Sequence, residues 1–172
     1  MAIVKVLFIL LLLFITFQDF RYKAVSWILF PIGFITAGII TYVEIPFSDI
    51  LYNSIINSLF IAFQMAVILV FSWIKFKQVK NIFSQIFGLG DLLFLVMICP
   101  LFSPINFVFF YILSLAFSLL VYLILKYLKI YNDTKIPLAG FQSFFLAILF
   151  ISIFFIRFSL LNDYMLFEYL LG

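Results

Sequence analysis

The chain has 172 residues, 68% of them hydrophobic and 10% charged, against roughly 45 to 50% apolar and about 25% charged in an average soluble domain. A soluble fold of this size has too little interior to hide that much apolar surface, so lipid must act as solvent for most of it. The net charge of +3 comes from lysines and arginines between apolar runs, the pattern of membrane-flanking loops, which excludes a nucleic-acid partner.

Six apolar segments follow in order: Ala2 to Gln18, Val25 to Val43, Ile50 to Ile74, Ile82 to Phe102, Ile105 to Leu125 and Ile136 to Ile156. Each is near the ~20 residues a helix needs to cross hydrocarbon. Strands are excluded, because they would leave backbone polar groups unpaired in lipid and the segments lack the alternation of a barrel. The first segment ends in Gln18-Asp19-Phe20-Arg21 with no small-residue cleavage site, so it reads as a span and not as a secretory signal. The expected fold is an all-α polytopic membrane protein of about six transmembrane helices, forming a single domain over residues 1–172.

The loops orient these spans. Arg21 and Lys23 follow the first, Lys75, Lys77 and Lys80 the third, and Lys126, Lys129 and Lys135 the fifth, which puts those loops in the cytoplasm and both termini outside. The alternate loops carry Glu44 and Asp49, or no charge around Pro100 to Pro104. Lys5 is then on the outer side, where a snorkelling lysine is tolerable.

The sequence has no histidine, and its one cysteine, Cys99, lies in an apolar run. No intrachain disulfide or zinc cluster can form, and the Ser/His, Cys/His and His-Glu-x-x-His chemistries are excluded. No metal or cofactor is expected.

Two acids remain. Asp19 stands where the first span leaves the membrane, and Asp91 stands in Gly88-Leu89-Gly90-Asp91 in the cytoplasmic part of the fourth. Only about a dozen residues, ~18 Å of helix, separate Asp91 from the outer end of its run. A crossing needs ~30 Å, so the helix is expected to begin near Ile82, with Asp91 below the membrane surface. A charge at that depth costs a few kcal/mol and ordinarily faces a bundle interior or a water-filled cavity. Two carboxylates facing each other in a low-dielectric cleft do not both ionise easily: one keeps a proton while the other activates a water. That is aspartic protease chemistry, and Gly88 and Gly90 would let a substrate backbone or neighbouring helix approach. The bland reading of each residue is interfacial: Asp19 beside Arg21 and Lys23, and Asp91 as a negative charge near a helix start.

These residues resemble the type IV prepilin peptidases, membrane aspartic proteases with a Gly-x-Gly-Asp motif and an earlier aspartate followed by a basic loop. Asp19-Phe20-Arg21-Tyr22-Lys23-Ala24-Val25 looks like the family's first motif and Gly88-Leu89-Gly90-Asp91 like its second. The resemblance implies that Asp19 and Asp91 are catalytic, that Gly88 and Gly90 shape the site, and that Arg21 and Lys23 border its cytoplasmic mouth. It further implies an enzyme of the cytoplasmic (inner) membrane that removes the short basic leader of pilin-like precursors. Nothing corresponds to the cysteine-rich zinc segment of larger members, so methyltransferase activity is not expected. Val25-Ser26-Trp27 replaces the family's Ile-Pro-Asn, Leu93 stands where a lysine is frequent, and Gly140 stands where a second proline is common after Lys135-Ile136-Pro137.

Presenilin and signal peptide peptidase share the Gly-x-Gly-Asp motif but are longer. A noncatalytic scaffold or a small transporter is the alternative of another class, with Asn57, Gln64 and Gln142 as polar contacts between helices.

Overall fold

The computed structural model describes residues 2–76, 88–129, 137–155 and 160–161. Among the described residues all regular structure is helical: α1 (Ala2–Tyr22), α2 (Leu29–Tyr42), α3 (Phe47–Phe76), α4 (Leu89–Ile98) running into a 3₁₀ turn (Cys99–Leu101), α5 (Pro104–Tyr127) and α6 (Leu138–Phe155).

Helix α1 shows why the bundle belongs in lipid. Phe8, Leu12, Ile15 and Asp19 are buried at helical spacing, while Ile3, Leu7, Leu10, Phe14 and Phe17 are exposed. A helix apolar on every face has no water-facing side. Helices α1, α3 and α5 are long and apolar enough to cross a membrane; α2, α4 and α6 are apolar but shorter. A 10-residue α4 rises only about 15 Å.

The core packs α1 against α6 and α2, α2 against α4, and α6 against α5. Phe8, Leu12, Phe94, Met97, Ile98, Phe107, Leu146 and Phe150 are among its buried members. Gly33 brings α2 close to α4, since a Cβ there would overlap the Met97 side chain.

The end of the bundle where α4 stops is tied by neutral polar groups. Residues Met97 to Ser103 are buried, so the charge-free connection expected around Pro100 to Pro104 is a turn packed inside protein. Irregular backbone is tolerated there because its carbonyls find partners. Asn57 Nδ2 donates to the carbonyls of Cys99 and Phe102, both at 2.9 Å, and the Thr41 hydroxyl donates to that of Pro100 at 3.1 Å. At the same end Lys5 Nζ pairs with Glu44 Oε1 at 3.3 Å, which gives the expected outlier of the charge map a local partner.

Two boundaries differ from expectation. Helix α1 runs past Gln18 to Tyr22 and closes at Lys23, whose φ of 52° is the left-handed conformation of a helix cap. Its N–H donates to the Asp19 carbonyl at 2.9 Å. Asp19 is therefore in the last helical turn. Helix α4 begins at Leu89 and not near Ile82: Gly88 is extended (φ −71°, ψ 138°) and forms the N-cap. The expected helical stretch from Ile82 to Phe87 lies outside the described residues, as do Lys77, Lys80 and Lys135.

Candidate active site

Three helix ends meet around the two acids: the last turn of α1, the first turn of α4 and the first turn of α6. The core stripe of α1 carries Asp19 inward at the same spacing as Ile15, and its side chain is 7% exposed. Asp91 is fixed by the start of its own helix. It occupies the third helical position, and Oδ2 accepts the Gly88 N–H at 3.2 Å. This is the carboxylate half of a capping box; Gly88 has no side chain to supply the other half. The bland expectation for Asp91, a negative charge near a helix start, is thus met.

Its other oxygen reaches across the bundle. Asp91 Oδ1 accepts the Ala139 N–H at 2.7 Å, and Asp19 Oδ2 accepts the Gly140 N–H at 2.6 Å. Two acids from different helices therefore bind consecutive amides of α6, whose Cα atoms are about 3.8 Å apart. A helix start suits this role because its first N–H groups lack intrahelical partners and carry the positive end of the helix dipole. Pro137, just ahead of α6, accepts the Phe141 N–H at 3.1 Å and so opens the helix.

Beneath the acids, hydroxyls tie α1 to α6. Thr16 Oγ1 and Ser143 Oγ meet at 2.8 Å, and Ser143 donates to the Gly140 carbonyl at 3.0 Å. Phe20 packs edge-on to Phe141, with centroids 4.8 Å apart. Gln18 Oε1 accepts the Ser26 N–H at 2.9 Å and holds the segment after α1 against that helix.

The remaining sequence candidates divide. A Cβ at Gly88 would come within 3.0 Å of Asp91 Oδ2, so Gly88 shapes the site by contact; a Cβ at Gly90 would meet nothing within 4 Å, so Gly90 borders open space. Arg21 and Lys23 are exposed near Asp19. The Arg21 guanidinium lies over the rings of Phe17 and Tyr22, 5.6 and 5.5 Å from their centroids. Leu93 packs against the core, and Trp27 is 69% exposed. Asn57 and Gln142 make the interhelical contacts expected of them, Gln142 Nε2 donating to Ser114 Oγ at 3.3 Å.

The amides of Ala139 and Gly140 are the site groups the sequence did not reveal. Their signal was faint: Pro137 ahead of two small residues, the start of a helix whose first turn can be approached closely.

Among the described residues there is no group of three or more metal-ligating side chains. Two carboxylic acids oriented by an N–H cradle can give and take protons. No protein-family model, curated protein or solved structure matches the chain.

Proposed function

We propose that this protein is a membrane aspartic endopeptidase of the prepilin-peptidase kind, with Asp19 and Asp91 as its catalytic pair. The observation that carries the reading is the convergence of the two acids on the consecutive amides of Ala139 and Gly140. In this reading the six apolar segments are six spans with both termini outside, the acids face the cytoplasm of an inner membrane, and Arg21 and Lys23 flank the entrance.

The chemistry needs one proton shared by two carboxyls. The ionised acid takes a proton from water as its oxygen attacks the peptide carbonyl carbon, while the protonated acid hydrogen-bonds the carbonyl oxygen. As the C–N bond breaks, the leaving nitrogen receives a proton and both acids return to their starting states. The substrate proposed is a pilin-like precursor, cut after the glycine that ends a short basic leader. Methylation of the new amino terminus is not part of the proposal.

One observation favours a second reading. Both carboxylates already cap α6, a task that a noncatalytic scaffold would also need done. Co-expression with precursors whose basic leader ends in Gly-Phe separates the two. Leader removal, followed by gel shift and amino-terminal sequencing, is expected for wild type and not for Asp19→Ala or Asp91→Ala. A folded wild-type protein that cleaves none of the precursors would turn the assignment to the scaffold.

A further inference from the structure

We propose that Gly140 is the positioning residue of the acid pair: its missing side chain lets α6 seat one amide on each carboxylate and so sets the spacing between them. This rests on the protease reading above. The argument is steric. A Cβ at position 140 would stand 3.0 Å from Asp19 Oδ2, 3.1 Å from Asp19 Cβ and 3.1 Å from Phe20 Cδ2. The Asp19 atoms cannot retreat cheaply, because Asp19 is buried on the last turn of α1, whereas the Phe20 ring, 36% exposed and edge-on to Phe141, can give way. The Thr16–Ser143 contact one turn below fixes the separation of α1 and α6.

Alanine at 140 would therefore lift the first turn of α6 from Asp19. The same rigid turn carries the Ala139 N–H, so the hydrogen bond to Asp91 changes with it. The two carboxylates are coupled through adjacent peptide units, and a buried residue without a side chain governs their geometry. A displacement of a fraction of an ångström at such a pair acts on turnover more than on binding, because substrate contacts elsewhere are unaffected.

The test compares wild type, Gly140→Ala and Gly38→Ala in proteoliposomes. Gly38 is the control, since a Cβ there meets nothing within 4 Å. Gly140→Ala is expected to lower kcat about tenfold, short of the roughly 10²-fold that a full ångström can cost, with KM within about threefold, while Gly38→Ala stays at the wild-type rate. Infrared spectra supply a readout independent of cleavage: the carboxylate band lost in Asp19→Asn should shift in Gly140→Ala and stay fixed in Gly38→Ala. If Gly140→Ala does not fold, the pair Gly140→Ala/Phe20→Ala vacates the ring beside the new Cβ, and the same measurements apply to it. Wild-type kcat with an unmoved Asp19 band would overturn the inference. Absence of cleavage in wild type with a band that still shifts would sink the protease reading and leave the positioning role standing.

Discussion

The two ends of this bundle solve the same problem with different chemistry. At one, neutral side chains meet backbone carbonyls: Asn57 serves Cys99 and Phe102, and Thr41 serves Pro100. At the other, two acids meet backbone N–H groups of α6. Neutral Asn or Ser caps a helix about as well as Asp does, and burying a carboxylate with no counter-charge costs more than burying a neutral amide. The neutral end is what folding alone requires. The acidic end carries more charge than capping needs, and that excess is the physical argument for chemistry there.

The largest expected effect is at the acidic end. Asp91→Asn keeps an oxygen able to accept the Ala139 N–H, yet it removes the group that exchanges a proton. Cleavage is expected to fall about 10²- to 10⁴-fold, the range of general acid–base catalysis, with the thermal unfolding temperature in detergent lowered only slightly, by loss of the acceptor for the Gly88 N–H. A variant that cleaves normally would erase the distinction between the two ends.

Asn57→Leu should do the reverse. It leaves two buried carbonyls without their donor, at about 1–3 kcal/mol each, read as a lower unfolding temperature with cleavage per folded molecule intact. Gly33→Ala, which forces Met97 aside, is expected to cost about 1–3 kcal/mol, toward the lower figure because methionine adapts. Smallest is Lys5→Ala. Its pair with Glu44 is exposed, at 28% and 41% of the two side chains, so the loss should be at most about 1 kcal/mol and should vanish in high salt.

What the sequence made legible follows the same division. The apolar runs led to a helical membrane chain, the absence of histidine and a topology carrying Asp19 and Asp91 to one face left the two acids as candidates, and the resemblance to the prepilin peptidases then matched them to a catalytic pair. The core stripe of α1 explains why Asp19 points inward. The start of α4 at Leu89 was not legible, since a capping bond from Asp91 to Gly88 is a choice made by three-dimensional packing and not by hydropathy. Nor was the burial of the turn at Pro100 to Ser103, whose uncharged residues mark a connection without showing that Asn57 and Thr41 satisfy its carbonyls. Above all, the partners of the acids are main-chain amides. Backbone N–H groups look alike in every sequence, and only the small residues Ala139 and Gly140 hinted that this helix start could be approached.

The central claim is that the acids are kept for chemistry and not for folding. The most direct measurement sets the double variant Asp19→Asn/Asp91→Asn beside wild type, following leader cleavage and thermal unfolding on the same preparations. The account predicts loss of cleavage with stability within a degree or so of wild type, because each amide oxygen still caps α6 and relief of buried charge offsets the lost acceptor for the Gly88 N–H. A double variant that unfolds several degrees earlier, beside a wild type that cleaves no precursor, would contradict it and make the acids structural caps.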